Sequence, residues 1–194
     1  MYTMHDLKFV PKSEFDRALK TSNNPITRCS LFAALCRINT LYMITVAGSG
    51  HLGSSFSSLD ISVWLYLNEL RRKTNGELQD IFFSSKGHDA PGLYNVLIGL
   101  GLLPFNKLHT LRRLGGLPGH PDVSIANITA NSGSLGMGIS KAKGMIYADR
   151  INDCSRRVFV MTGDGELQEG QIWESLQGAA NAKMHELTVI VDHN

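Results

Sequence analysis

The feature that most constrains this chain is its C-terminal stretch, in which two short apolar runs flank one helical segment. The runs are 158–161 and 187–191. Short apolar runs rich in β-branched residues and bounded by Gly or Asp are typical of buried parallel strands, and the segment between them completes a βαβ unit. Asp164 and Asn194 follow the two runs. Ligands bind beyond the carboxyl ends of parallel strands, so we expect this pair at a site for a hard cation that carries phosphates.

Composition limits the class of protein. The chain has 194 residues, 43% of them hydrophobic, which suits one sizeable core. The net charge is +2 and the charges are scattered, which argues against a nucleic-acid partner. The N-terminus lacks the features of a secretory signal, and no apolar run approaches the ~18–20 residues of a membrane span. We therefore expect a soluble, cytoplasmic protein that does not enter a membrane.

The three cysteines are Cys29, Cys36 and Cys154. Their number is odd and they show no C-x-x-C spacing, which argues against a disulfide framework or a zinc site. Burial as core thiols is the favoured interpretation of the first two.

Helical patterns alternate with short apolar strands along the chain. A helix over 26–46 fits the spacing of its apolar residues, which are Leu31, Leu35, Ile38, Leu41 and Tyr42. The glycine-rich segment 47–55 is predicted to be a loop, and Asp60 or a nearby serine is predicted to cap a helix over 61–70. Further predictions are a strand over 81–85, helices over 91–100 and 106–113, and a helix that ends near residue 149. Residues 1–24 are polar without a clear pattern. This alternation predicts an α/β fold with a doubly wound, mostly parallel sheet and helices on both faces.

A glycine-rich segment, 133–138, precedes a predicted helix. A helix start of this kind presents free N–H groups to an anion. Its spacing is G-x-x-G-x-G rather than the dinucleotide G-x-G-x-x-G. Close packing of the helix against its neighbours explains the glycines equally well, so both interpretations stay open.

Three histidines directly follow a glycine in predicted loops: His51, His88 and His120. A single loop histidine is usually only solvated. Three in the same context near a phosphate–cation site favour a functional role, because imidazole donates to phosphate and transfers protons near neutral pH. Their spacing does not match a zinc triad, and the hard oxygen ligands elsewhere favour magnesium or calcium.

Acidic residues crowd the segment after Asp164. For Glu166, helix capping or a favourable interaction with the helix dipole is the better interpretation. Glu169 and Glu174 flank Trp173 at the start of an otherwise apolar helix. If these two carboxylates are buried, they need partners.

Taken together, these motifs resemble the diphosphate-binding half of transketolase, a thiamine diphosphate enzyme. Gly163-Asp164-Gly165 is followed by 28 residues and then Asn194, which is the spacing of the thiamine motif. The Ser49-Gly50-His51 segment, the Gly87-His88 loop, Pro118-Gly119-His120-Pro121, the 133–138 segment and Glu169-Gly170 follow the order of the family. The resemblance covers 26–194 and leaves 1–25 as an N-terminal extension.

The resemblance implies a role for each matching residue. Asp164 and Asn194 would ligate Mg²⁺, with Ca²⁺ or Mn²⁺ as alternatives, and Gly163 and Gly165 would help to seat the diphosphate. His88 would contact the diphosphate, while His51 and His120 would hold substrate oxygens and assist proton transfer. Gly133, Ser134 and Leu135 would lie near the cofactor ring. Glu169 and Glu174 would belong to an acidic cluster that crosses a dimer interface, and Glu169 would also contribute to cofactor binding.

The implied activity is transfer of a two-carbon ketol unit from a ketose, or ketose phosphate, to an aldose. It would require a pyrimidine-binding domain, or a C-terminal transketolase subunit, in a dimer or heterotetramer. Because the chain ends at Asn194, we expect the diphosphate-binding domain to be incomplete at its C-terminal end. Two alternatives stay open: another thiamine enzyme, such as a deoxyxylulose-phosphate synthase or the E1 component of a 2-oxoacid dehydrogenase, and a non-catalytic cofactor-binding subunit.

Overall fold

The computed structural model describes residues 7–193, so the predicted metal ligand Asn194 lies outside the described residues. Six α-helices and three strands make up the described secondary structure, together with three short helical turns. The helices are α1 (Lys12–Thr21), α2 (Pro25–Ala47), α3 (Leu52–Trp64), α4 (Ala90–Gly99), α5 (Gly138–Ile151) and α6 (Gly170–Asn181), and the strands are β1 (Ile81–Ser84), β2 (Val158–Gly163) and β3 (Leu187–Asp192). A π-helical turn spans Leu65–Glu69, and 3₁₀ turns span Phe105–His109 and Gly165–Gln168.

The strands form one parallel sheet in the order β1-β2-β3. α6 connects β2 to β3, which confirms the predicted C-terminal βαβ unit and the α/β fold class. In register, Ser84 of β1 pairs with Met161 of β2, and Gly163 of β2 pairs with Asp192 of β3. The carboxyl ends of β2 and β3 therefore lie side by side.

The chain divides into two compact units, and the sheet unit comprises Glu69–Gly87, Pro121–Val123 and 128–193. Its core packs α5 and α6 on alternate residues of β1 and β2, and consists of Ile81, Phe83, Ala130, Ala142, Ile146, Val158, Val160, Ala179 and Met184. The intervening strand residues Phe82 and Phe159 are buried as well. Residues on both faces of β1 and β2 are therefore buried, which explains why these two strands appear in the sequence as continuous apolar runs.

A buried carboxylate fixes the amino end of the sheet. Asp80 accepts hydrogen bonds from the backbone N–H groups of Arg71 (3.0 Å) and Arg157 (2.9 Å), and from both guanidinium groups. Burial acts to raise the pKa of the Asp80 carboxyl, but the hydrogen bonds from these two arginines outweigh it and hold that pKa well below its usual range.

The helical unit comprises 7–68, His88–His120 and Ser124–Asn127, and contains α1 to α4. The Asn24 side chain caps α2 by accepting from Ile26 N (2.9 Å) and Thr27 N (3.3 Å), and Gly48 ends the helix at φ 68°. Phe15 of α1 and Phe32 of α2 meet edge to face, with ring centroids 5.2 Å apart. α1 thus gives structure to part of the N-terminal region in which the sequence shows no pattern.

The buried face of α2 differs from the face that the sequence pattern favours. Leu31, Ile38 and Leu41 are exposed, while the buried side chains are Cys29, Phe32, Ala33, Cys36, Asn39, Thr40 and Met43. Apolar residues are spread over all sides of the helix, so their periodicity does not distinguish the two faces. Burial of Cys29 and Cys36 confirms them as core thiols, and Cys154 is exposed.

By length and composition, α2 is also apolar enough to cross a membrane. The expectation that no segment reaches that length is therefore wrong. The buried side chains of α2 pack against α1, α3 and α4 within the helical unit.

The largest difference from the predicted elements lies in α3. This helix begins at Leu52, inside the segment predicted to be a loop, and Asp60 lies within the helix rather than at its cap. A Cβ on Gly92 of α4 would lie 2.8 Å from the Ser55 carbonyl oxygen, so α3 and α4 pack backbone to backbone. This tertiary contact stabilises a helix whose serine and glycine content disfavours it locally. Asp60 instead forms an exposed ion pair with Arg37 of α2.

Candidate active site

The Gly163-Asp164-Gly165 segment lies where β2 ends. The Asp164 N–H donates to the Asp192 carbonyl at 3.1 Å, which extends the β2–β3 ladder by one step. The Asp164 carboxylate is partly exposed, and its Oδ1 accepts from Gly165 N at 2.9 Å. A Cβ on Gly165 would meet no atom within 4 Å, so the space beside this backbone is open. The segment presents a carboxylate and an unobstructed backbone at the sheet edge.

The glycine-rich segment 133–138 is held by Glu166. One carboxylate oxygen, Oε1, accepts from Gly136 N at 2.8 Å and from the Ser85 hydroxyl. The other oxygen, Oε2, accepts from Gly163 N at 3.2 Å. Ser85 Oγ in turn accepts from Gly138 N at 3.1 Å, at the start of α5. Glu166 is 3% exposed, so it joins two motifs from the inside of the sheet unit instead of serving only as a cap.

Close backbone contact explains the glycine at position 87. Gly87 has φ 67°, and a Cβ there would lie 2.6 Å from Gly133 N. The left-handed φ and the contact both require glycine. Gly133, Ser134 and Leu135 are exposed beyond this contact. Within the glycine-rich segment, close packing accounts for Gly136, where a Cβ would lie 2.9 Å from Glu169 Cβ, and for Gly138, where a Cβ would meet the Ser85 side chain, and it leaves Gly133–Leu135 accessible to a ligand.

The sheet edge also carries a buried ion pair between Lys86 and Asp192. Neither this pair nor the roles of Ser85 and Glu166 are predicted from the sequence. Lys86 precedes the Gly87-His88 loop and Asp192 comes two residues before Asn194, so their nearness to predicted site residues was the available signal.

The three histidines lie in the helical unit. The rings of His51 and His88 meet edge to face with centroids 5.2 Å apart, so the structure brings this predicted pair together. His51 occupies the N-cap position of α3 and is exposed, while His88 is partly buried. His120 is exposed, and its backbone carbonyl accepts from the Tyr94 hydroxyl at 3.1 Å. Tyr94 thereby fixes the backbone of the 118–121 loop.

Glu169 and Glu174 are both exposed in this chain. A Cβ on Gly136 would lie 2.9 Å from Glu169 Cβ, so the stem of Glu169 packs against the glycine-rich segment. Trp173, which lies between Glu169 and Glu174 in the sequence, is 59% exposed, and its ring N–H donates to the Leu167 carbonyl at 2.8 Å. This surface places an aromatic ring among carboxylates at the start of α6.

The donor groups at the sheet edge fit a divalent cation and a polar cofactor. Asp164 offers hard oxygen to a metal, although residues 7–193 contain no group of three His, Cys, Asp or Glu side chains that could hold one by themselves. Ser132 Oγ is a buried atom with no hydrogen-bond partner among the described residues. An orphaned hydroxyl next to Gly133–Leu135 fits a polar ligand at that segment.

Comparisons with known proteins agree with this arrangement. Residues 30–194 match the family model described as "Transketolase, thiamine diphosphate binding domain". A transketolase from Pongo abelii is 39% identical over 163 residues, which cover 81% of this chain and 26% of that protein. One of the apulose-4-phosphate transketolase subunits of Actinobacillus succinogenes is 37% identical over 151 residues, or 75% of this chain and 54% of that relative.

Among solved structures, transketolase from Leishmania mexicana superimposes with a TM-score of 0.75 at 26% identity, covering 86% of this chain and 27% of that chain. The chain thus spans about a quarter of the length of these full transketolases and about half of the Actinobacillus succinogenes relative. The family match extends over Gly163–Gly165 and the glycine-rich segment at the sheet edge. The chain therefore belongs to the transketolase family and carries its thiamine diphosphate-binding domain.

Proposed function

We propose that this chain is the diphosphate-binding part of a transketolase-type enzyme that transfers a two-carbon ketol unit from a ketose, or ketose phosphate, to an aldose. The observation that carries the proposal is the junction of β2 and β3, where Asp164 N bonds to the Asp192 carbonyl. This junction puts the Gly163–Gly165 motif beside the strand that leads to Asn194.

The proposed ligands of Mg²⁺ are Asp164 and Asn194, with the backbone at Gly165 beside the diphosphate. Magnesium prefers carboxylate and amide oxygens together with phosphate oxygens, which is the chemistry that these residues offer. The exposed backbone at Gly133–Leu135 would contact the cofactor ring region. When bound, thiamine diphosphate supplies the carbon nucleophile that carries the two-carbon unit.

The proposed role of the histidines is general acid–base chemistry and binding. His51 and His120 would hold substrate hydroxyl and carbonyl oxygens and move protons to and from them, and His88 would donate to the diphosphate. The 5.2 Å contact between the His51 and His88 rings supports a shared site for these two. A histidine side chain donates and accepts protons near neutral pH, as transfer between sugars requires.

The proposed partner is a pyrimidine-binding domain, on the same polypeptide or on a separate one. The two-polypeptide arrangement is supported by the Actinobacillus succinogenes relative, which is named as one subunit of a transketolase. The exposed carboxylates Glu169 and Glu174, next to the exposed Trp173, would face that partner or a second copy in an oligomer.

The deciding experiment assays the complex of this chain with its partner. We expect turnover of a ketose phosphate in the presence of an aldose acceptor, and dependence on thiamine diphosphate and Mg²⁺. Turnover of pyruvate alone, without ketol transfer, would assign a different thiamine reaction.

A histidine variant separates the enzyme from a non-catalytic subunit. We expect H120A to lower kcat by at least tenfold with little change in cofactor affinity, because His120 acts on substrate oxygens. H185A is the matched control, since His185 is exposed in the loop before β3 and has no proposed role. An H120A rate equal to that of H185A would support a scaffold.

A further inference from the structure

Lys86 and Asp192 form an ion pair that spans the carboxyl edge of the sheet. Lys86 follows β1, Asp192 is the last residue of β3, and β2 runs between these strands. Their side chains are only 3% and 5% exposed. The pair therefore joins the two outer strands of the described sheet across the end of the central one.

The lysine side chain crosses directly over Gly163. A Cβ on Gly163 would lie 3.1 Å from Lys86 Cδ and 3.5 Å from Lys86 Cγ. Gly163 is not among the glycines with positive φ, so its backbone conformation does not require glycine. The requirement is space: the first glycine of the G-D-G motif leaves a path for Lys86 to reach Asp192.

The ion pair lies beside the backbone that leads to Asp164, one of the two proposed metal ligands. Asp164 follows Gly163, and its N–H donates to the Asp192 carbonyl at 3.1 Å. Asn194 comes two residues after Asp192 in the sequence. The Lys86 stem packs on one side of this junction and its ammonium group holds the Asp192 side chain, so the spacing of the β2 and β3 ends depends on the pair.

Stability alone is a weak reason for such a pair. The desolvation of two buried charges largely offsets their attraction, and apolar replacements of similar volume are often as stable. Geometry is a stronger reason, because groups that orient metal ligands affect metal affinity by roughly 10- to 100-fold when they are changed.

We propose that the Lys86–Asp192 ion pair is a positioning device that sets the spacing of Asp164 and the backbone leading to Asn194, and thereby the affinity for the divalent cation and the diphosphate. This inference rests on the proposed function of that edge. Lys86 touches neither ligand in this role and acts through the strand ends.

The test measures binding without turnover in the full chain assembled with its partner. The probe is Mn²⁺, followed by electron paramagnetic resonance in the presence of saturating thiamine diphosphate. We expect Lys86→Met, which keeps most of the stem and removes the charge, to weaken Mn²⁺ binding by about 10- to 100-fold. Asp149→Asn is the matched control, because Asp149 is a buried carboxylate paired with Arg156 at a different place in the sheet unit.

A second variant separates positioning from stability. Lys86→Met combined with Asp192→Leu replaces the pair by apolar side chains, so we expect its melting temperature to be close to that of the wild type while Mn²⁺ binding stays weak. The double variant also decides the question if Lys86→Met alone does not fold.

Two outcomes would overturn the inference, and only one of them also overturns the proposed function. If the wild-type complex binds Mn²⁺ and the Lys86 variants bind it equally well, the positioning role is wrong. The same holds if Asp149→Asn loses as much Mn²⁺ affinity as the Lys86 variants do. In both cases the proposed function of the edge stands. Absence of Mn²⁺ binding by the wild-type complex removes the proposed function of the edge as well.

Discussion

At the scale of single residues, the carboxylates in and just after the G-D-G motif divide into two groups by burial. Asp164 and Glu169 are partly or fully exposed, while Glu166 is buried and binds Gly136, Gly163 and Ser85. A buried carboxylate with three donors is stable only while those donors stay in place. Glu166 is therefore a structural anchor, whereas its neighbours in this segment are predicted to bind the metal or the cofactor.

Replacing Glu166 tests this division. Glu166→Ala leaves the hydroxyl and two backbone N–H groups without an acceptor, and we expect a loss of roughly 3 kcal/mol in the free energy of unfolding. Chemical denaturation measures it. Glu169→Ala, three residues later on the surface, should change that free energy by less than about 0.5 kcal/mol. Equal effects of the two substitutions would show that Glu166 is not an anchor.

Substitution by alanine should lower stability at one glycine of this edge and weaken cofactor binding at another. Gly87→Ala places a Cβ 2.6 Å from Gly133 N at φ 67°, so we expect a loss of more than about 2 kcal/mol of stability. Gly165→Ala meets open space and should keep the melting temperature, but weaken thiamine diphosphate binding. Calorimetry gives both quantities. Unchanged cofactor affinity in Gly165→Ala would contradict a diphosphate beside Gly165.

At the scale of elements, the two ends of the sheet have different tasks. The amino end is closed by Asp80 with Arg71 and Arg157, a network with no predicted ligand. The carboxyl end carries the loops with the thiamine motif and the glycine-rich segment. This division is expected for parallel sheets, in which ligands bind beyond the carboxyl ends of the strands.

The Asp80 network should make stability depend on pH. Because folding lowers the pKa of Asp80, its contribution is complete above the unfolded pKa near ~4 and is lost as the pH falls through the lower folded value. We expect Asp80→Asn to cost about 3 kcal/mol at pH 7. Urea titrations between pH 7 and pH 2 should show the wild-type and Asp80→Asn stabilities converging in acid. Parallel curves would exclude this role.

At the scale of the whole molecule, neither compact unit is a continuous segment. The chain passes between the units at 68–69, 87–88, 120–121, 123–124 and 127–128. Two of these passages, 87–88 and 120–121, lie in the histidine loops. Loss of one unit would release the ends of the segments that build the other, so we expect the two units to unfold together.

The two tryptophans can report on this, because Trp64 lies in the helical unit and Trp173 in the sheet unit. We expect the single-tryptophan variants Trp64→Phe and Trp173→Phe to show coincident urea transitions by fluorescence, each matching the transition of that variant by circular dichroism. Fluorescence midpoints that separate from the circular dichroism midpoint of the same variant would show independent unfolding.

The sequence predicts some parts of the fold closely because their signals are local. The three strands and helices α2, α4 and α5 lie within a few residues of their predicted ranges, since apolar runs, caps and glycine ends specify them. The predicted start of α3 is wrong, and the apolar spacing that predicts α2 does not identify its buried face. Packing of Ser55 against Gly92 stabilises the start of α3, and apolar residues on all sides of α2 make its faces indistinguishable in the sequence.

By itself, the sequence determined the family, the α/β class and the candidate residues Asp164, His51 and His88, because motif order and spacing are properties of the chain. The tertiary structure alone decided which groups hold these motifs in place. Glu166 bonds to Gly136 and Ser85, which lie 30 and 81 positions away, and Lys86 pairs with Asp192, which lies 106 positions away. Burial and long-range pairing arise only when the strands assemble, so the sequence places these residues near the motifs but does not show which of them pair.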